Sequence, residues 1–256
     1  MKFNYSLKPL NELMCELKEK NQISWFYLTD GSYNIEFEKI KLFEYSDNAV
    51  KEYNMNSNDL DYYVIRIIED IFDMLINTIN PMPEDLFLLV DSLEKRDKIE
   101  LQIEEVLKNV GEEEFEKCLK IFKLVCPGCI DTTYLNPGFE NYFFHVNDSL
   151  YIYYNCENDD NIWTAKKGII KINYDDFVNE FKIFVSNFMN DMKNRINEII
   201  NLLDENLLEF KKEHEARVNS FEDMLKKIDN CYNIEYDEWD NLMKLMKKYK
   251  IILSEV

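Results

Sequence analysis

The loudest chemical motif in the chain is Cys126-Pro127-Gly128-Cys129. Two cysteines at this spacing serve as a redox dithiol or as half of a zinc site. A thioredoxin-type pair follows a strand and opens a helix. Here helical periodicity runs to about Val125 and stops at the motif. Structural zinc takes four ligands, and no second pair of this spacing exists, so His145 or Cys156 would have to complete a site through the fold. The plainest reading is a turn with incidental thiols, and all three readings stay open.

The remaining reactive residues exclude more than they offer. His145 and His214 are the only histidines. His214-Glu215 starts like a zinc-protease helix, but Arg217 and Val218 follow where the second histidine is needed. His145 lies on an aromatic stretch and reads as a packed core residue. Five glycines, none in a phosphate-loop spacing, argue against the ordinary nucleotide-binding folds. The acidic run Glu157-Asn158-Asp159-Asp160 lacks the rest of a calcium loop. Lys117, Lys120 and Lys123, like Lys244, Lys247, Lys248 and Lys250, stand near helix C-termini, where dipole complementation accounts for them.

Composition bounds what can position such residues. The 256 residues are 46% hydrophobic and 14% aromatic, enough for a sizeable core. Fifty acidic against thirty basic residues give a formal net charge of -20. That field repels phosphate backbones and anionic lipid and attracts basic partners. No uninterrupted apolar run approaches the ~18 residues of a membrane helix. The Lys- and Glu-rich start has no secretory h-region. Six cysteines are then expected as free thiols in a reducing cytoplasm.

Periodicity supplies the elements. Phe3, Tyr5 and Leu7 alternate as a strand, and residues 9–20 read as a short helix. Ile23–Leu28 and Tyr33–Phe37 flank Thr29-Asp30-Gly31-Ser32, which predicts a hairpin turn. A third strand is expected over Ile40–Tyr45. From Leu60 to Ile79 the apolar residues recur at helical spacing, and Asn80-Pro81-Met82-Pro83 ends the run. Phe139–Val146 and Ser149–Cys156 flank Asn147-Asp148, which places Phe143 opposite Ile152 and His145 opposite Leu150. Tyr142 then faces Tyr153 and Phe144 faces Tyr151, so both faces of this hairpin are apolar or aromatic. Ile162–Ala165 and Ile169–Ile172 read as one more hairpin. Asn173 caps a long apolar stripe from Phe177 to Phe210, and a last helix covers about Tyr236–Tyr249. The class is α+β: an antiparallel sheet of N-terminal and central hairpins against long amphipathic helices. One domain is expected over 1–215, with a helical extension over 216–256.

Several strings resemble a bacterial family classed as a domain of unknown function, number 5984. They are Phe3-x-Tyr5-x-Leu7-x-Pro9-Leu10, Trp25-Phe26-Tyr27-Leu28-Thr29-Asp30-Gly31-x-Tyr33 and Leu42-Phe43-x-Tyr45-Ser46. Arg66-x-x-Glu69-Asp70, Asp131-Thr132-Thr133-Tyr134-Leu135, Trp163-Thr164-Ala165-x-x-Gly168 and Phe177-x-x-Glu180-Phe181 follow in order. The resemblance spans about residues 3–195. It departs at Met14-Cys15-Glu16, where a Pro-Trp-Gly-like turn is expected, and the cysteine pair is not part of it. It implies no activity or cofactor. Its likeness to proteins encoded beside secreted bacterial toxins implies an immunity role.

Together these features point to a cytoplasmic protein that binds a basic partner, such as a toxin, with no direct nucleic-acid or membrane contact. Carboxylates would steer the partner and aromatic rings would anchor it. The candidates are Asp30 and Tyr33 at the first hairpin, and Glu157, Asp159, Asp160 and Trp163 at the later loop. A thiol- or zinc-dependent enzyme using Cys126 and Cys129 is the alternative. A subunit of an oligomer, paired through the long C-terminal helix, is a third reading.

Overall fold

The structure, a computed structural model, describes residues 1–13, 24–135, 137–157, 161–203, 208–230 and 237–251. Its first sheet is antiparallel and has four strands, β1 (Lys2–Leu7), β2 (Asp30–Phe37), β3 (Ile40–Leu42) and β4 (Leu60–Tyr63). β2 is central. β1 lies on one side, while β4 and β3 share the other, β4 along Asp30–Tyr33 and β3 along Ile35–Phe37. Helix α1 (Asp47–Glu52) fills the connection from β3 to β4, capped by the Ser46 hydroxyl, which accepts from the Ala49 amide at 3.2 Å. Helix α2 (Val64–Thr78) follows β4 directly.

Three short or medium helices come next: α3 (Glu84–Phe87), α4 (Leu93–Asn109) and α5 (Glu112–Leu119). A 3-10 turn, Lys120–Leu124, leads into the cysteine loop. The second sheet is an antiparallel meander of β5 (Glu140–Val146), β6 (Ser149–Asn155) and β7 (Lys167–Asn173). Helices α6 (Tyr174–Leu203), α7 (Leu208–Asn230) and α8 (Asp237–Tyr249) complete the chain. The α+β class read from the element order holds. Among the described residues no helix is long and apolar enough to cross a membrane.

The β5–β6 register is the one the sequence predicts, with Phe143 opposite Ile152, His145 opposite Leu150 and Tyr142 opposite Tyr153. Both faces of this hairpin are covered. Phe143, Leu150 and Ile152 join a first core with Phe3, Ile68, Phe72, Phe177 and Phe181. Phe144, Val146 and Tyr153 join a second core with Phe87, Val90, Ile103, Leu124, Trp239 and Leu242. The sheet is therefore a wall between two cores, and period-two alternation sends neighbouring side chains to different ones. Helix α6 closes the first core by laying its Phe177–Phe181–Phe184–Phe188 stripe on β1, where Phe3 stacks on Phe184 at 5.2 Å. Asn173 caps that helix as expected, its Oδ1 accepting from the Asp176 amide at 3.0 Å. From the C-terminal segment, Phe221 and Ile228 enter the first core and Trp239, Leu242 and Met246 the second.

Three expectations are corrected. Asp30-Gly31 is no turn; it opens β2, with Gly31 paired to Leu7 on one side and Tyr62 on the other. A Cβ at Gly31 would overlap the Ser6 carbonyl oxygen, so glycine serves close approach between strands here. Leu60–Tyr63 is strand, because pairing with β2 overrides a helical spacing that begins in earnest at Val64. Ile162–Ala165 does not pair with β7. It crosses to the first sheet, where Trp163 bridges Tyr45, and β7 pairs with β6. Residues 10–13 are helical, while the rest of the helix expected over 9–20, with Cys15 and Ile23, lies outside the described residues. So do Leu207 of the long apolar stripe and Cys231.

Replacing Gly31 with Ala forces its new methyl against Ser6 and should cost ~1–3 kcal/mol. Chemical denaturation of Gly31→Ala against the parent checks this, and an unchanged midpoint would show that β1 gives way freely.

Candidate functional site

Two recesses open on either side of the Tyr45–Trp163 bridge. One, about 910 Å³, is lined by Lys41, Glu44, Asp47, Asn58, Asp59, Asn161, Trp163 and Lys166 among others. The second, about 580 Å³, is lined by Lys8, Glu12, Gly31, Tyr45, Tyr53, Asp59 and Asp61 among others. Asp59 belongs to both. Tyr45 and Trp163 stack at 4.9 Å with ring planes 13° apart, Tyr45 facing one recess and Trp163 the other. Ser46 holds this arrangement, its amide donating to the Ile162 carbonyl at 2.7 Å and its hydroxyl to the Asn161 carbonyl at 2.5 Å.

Electrostatically the recesses are net acidic. Lys41 pairs with Glu44 at 2.8 Å, and Lys8 pairs with Asp30 at 2.9 Å and Asp61 at 3.4 Å. Asp47 and Asp59 accept instead from neutral amides, Asn58 at 3.0 Å and Asn34 at 2.6 Å, and neither forms an ion pair among the described residues. Tyr53, at the end of α1, leaves 55% of its surface exposed beside them.

Of the six residues expected to bind a partner, the four described ones do not share one exposed surface. Asp30 is half-buried and held by Lys8. Tyr33 is only 1% exposed, packed against Phe43 in the first core. Trp163 is 2% exposed, wedged between Tyr45 and Phe139, with an edge lining the larger recess. Glu157 is exposed, 3.7 Å from Lys167. Asp159 and Asp160 lie outside the described residues. Asp47, Tyr53 and Asp61 went unremarked in the sequence, because nothing local says that residues 44–61 face residues 161–166 on one side and residues 6–12 on the other.

A second cluster of titratable groups lies beneath the first sheet. The Tyr134 hydroxyl donates to Asp70 Oδ2 at 2.6 Å, and the Tyr134 ring stacks on Tyr62 at 4.7 Å. Burial lifts the Asp70 carboxyl from its ordinary 3.8 to about 6, against the opposing pull of the Tyr134 hydrogen bond. Tyr134 and Tyr33 are both pushed far up, chiefly by burial. Next to Asp70 in sequence, Glu69 pairs with Arg217 of α7 at 3.0 Å, whose guanidinium lies 4.3 Å over Trp25. His145 is a core residue as expected. Its Nδ1 lies 2.9 Å from the Thr78 carbonyl, its ring stacks on Tyr174 at 3.7 Å, and burial lowers its pKa.

No group of three or more His, Cys, Asp or Glu side chains among the described residues is placed to hold a metal ion. Cys126 and Cys129 do come together, in the loop between the 3-10 turn and β5, as free thiols. Among the described residues that arrangement brings no third ligand to the zinc alternative, and the dithiol alternative stands beside it.

A family model described as a family of unknown function (DUF5984) matches residues 2–244. The chain belongs to this family. The DUF5984 match runs past residue 195, where the resemblance in the sequence ends, through α7 and into α8. No curated protein matches, and no solved structure does. Several residues from the strings that carry the DUF5984 resemblance meet in the fold. Tyr33 and Asp70 converge with Tyr134, while Tyr45 stacks on Trp163.

The raised Asp70 carboxyl sets a pH dependence. It binds its proton more tightly folded than unfolded, so its ionisation favours unfolding. Its contribution to stability therefore falls as pH rises from the unfolded value near 3.8 through the folded value of about 6. Urea denaturation across that range should show the parent losing stability relative to Asp70→Asn. A difference that stays flat with pH would contradict the burial of this carboxyl.

Proposed function

We propose that this DUF5984 protein binds a basic partner protein at the paired recesses around Asp59, and that the partner is a toxin it neutralises. The observation carrying this reading is the exposed Tyr53 ring in a net acidic recess, where Asp59 accepts from the neutral Asn34 amide, beside the Tyr45–Trp163 stack. An aromatic ring supplies contact area at low entropic cost, and surrounding carboxylates steer a cationic partner and select against anionic ones. The net charge of -20 extends that steering over the whole surface. The immunity role is supported by the resemblance to proteins encoded beside toxins. Binding by surface complementarity also accords with a site whose carboxylates accept from fixed amides and are not set up in pairs for proton transfer.

Co-expression with the product of the neighbouring gene tests the pairing, scored by growth and by co-purification at low and high salt. Rescue of growth with a salt-sensitive complex is expected. The combined Asp47→Asn, Tyr53→Ala and Asp61→Asn variant, which spares the Asn34–Asp59 hydrogen bond, should bind that partner at least ~10-fold more weakly, or ~1.4 kcal/mol. Unchanged affinity in this variant would remove the recesses from consideration, and no complex at all would overturn the pairing.

A further inference from the structure

The cysteine loop lies away from the recesses and shares no lining residue with them. Its backbone is fixed from both sides. Upstream, Arg96 of α4, only 2% exposed, donates Nε to the Val125 carbonyl at 3.0 Å. The Cys126 amide donates to the Phe122 carbonyl at 2.8 Å. Downstream, the Phe143 amide of β5 donates to the Gly128 carbonyl at 2.8 Å, and the Ile130 amide to Asn141 Oδ1 at 2.7 Å. The two thiols are thus presented by a loop clamped to α4 on one flank and β5 on the other.

Cys126 is half-buried and Cys129 exposed, and both line a cavity of about 650 Å³. Asn241, Leu242 and Leu245 of α8 line it too. Lys120 and Lys123 also line it, Lys123 with its ammonium 5.6 Å over the Trp239 ring, and among the described residues no carboxylate does, in a chain whose net charge is -20. The Cys126 thiol donates toward the Cys129 sulfur. That interaction brings Cys129 down to about 7, against burial and the nearby Asp131 and Asp70 carboxylates, while it pushes Cys126 well up together with burial. The exposed sulfur is therefore the nucleophile, and its half-buried neighbour stays protonated.

We propose that Cys126 and Cys129 form a thiol–disulfide exchange site for small anionic disulfides of the glutathione class. This rests on the clamped loop, the shared cavity and Lys120 in its lining, and is independent of the docking reading above. The Cys129 thiolate attacks one sulfur of the incoming disulfide, whose S–S bond breaks and whose other half leaves as a thiolate and takes a proton from water. Cys126 gives its proton to water and attacks the Cys129 sulfur of the mixed disulfide, expelling the second thiol. The protein loses two electrons and two protons as the Cys126–Cys129 bond forms, and the substrate gains both as two thiols. Excess thiol runs the sequence backwards. Lys120 receives a carboxylate of the substrate, and Leu242 and Leu245 line its apolar side.

The test is to treat the reduced full chain with oxidised glutathione at neutral pH, alkylate it, and map every cysteine by mass spectrometry. The parent should yield the Cys126–Cys129 disulfide, and Cys126→Ser should trap a glutathionyl group on Cys129. That trapping should be ~3-fold faster than for a cysteine in the urea-unfolded chain, the larger thiolate fraction being partly offset by the lower nucleophilicity of a low-pKa thiolate. Lys120→Glu should slow exchange with oxidised glutathione several-fold and leave exchange with uncharged hydroxyethyl disulfide unchanged. Adducts spread over other cysteines, or trapping no faster than in the unfolded chain, would overturn the site. Equal slowing of both disulfides by Lys120→Glu would overturn its preference for anions.

Discussion

The β5–β6 hairpin is buried on both faces, and most of the chain is arranged by that constraint. An antiparallel sheet commonly packs one face and wets the other. Here Phe143, Leu150 and Ile152 on one face and Phe144, Val146 and Tyr153 on the other all need cover. The long apolar stripe of α6, together with α2 and the first sheet, covers one face. Covering the other takes α3, α4, the 3-10 turn and α8. The helices that look like separate amphipathic units in the sequence are thus two sides of one three-layer arrangement.

Buried arginines tie the layers where apolar packing alone would leave carbonyls unsatisfied. Arg195 of α6 donates to the Leu28 carbonyl at 3.1 Å and also to the Lys8 carbonyl, joining the helix to both flanks of the β1–β2 connection. Arg96 of α4 spans Val125, Asp97 and Glu100, with its guanidinium 3.5 Å above the Tyr142 ring. The planar fork bonds one carbonyl and two carboxylates while its face stacks on an aromatic, a combination that lysine cannot supply. Removing such a group leaves buried acceptors unpaired, so these side chains specify how elements dock more than they add net stability.

How far the sequence could be read depended on what each glycine was for. The central hairpin was legible down to its pairs, because the two-residue Asn147-Asp148 turn leaves one register. The two hairpins drawn around Gly31 and Gly168 were not, and for the same reason. Among the described residues no glycine has a positive φ, while Asn54, Asn147 and Asn161 do. Gly31 and Gly168 sit inside strands, where a Cβ would collide with Ser6 or with the Tyr154 ring. A glycine needed for backbone twist and one needed for lack of a side chain look identical in a sequence. The recesses were invisible for a different reason, since residues 44–61 meet 161–166 on one side and 6–12 on the other only once the chain has folded. The cysteine pair was legible as a motif, and its clamped backbone was not.

The doubly covered hairpin also bears on how the protein avoids misfolding. Where one face of a sheet is polar, a one-residue slip of register exposes every apolar side chain and is rejected at once. In β5–β6 a slip would exchange one apolar set for another, so hydrophobicity alone hardly polices the error. The discrimination falls to the turn: Asn147 adopts a φ of 51°, and the Asp148 carbonyl accepts from the Tyr174 amide at 2.9 Å and the Asn173 side chain at 3.2 Å. A slipped hairpin would lose that junction with the first turn of α6, leaving the longest helix without its starting point. Proofreading of strand alignment is thereby handed to a handful of polar bonds at one corner of the molecule.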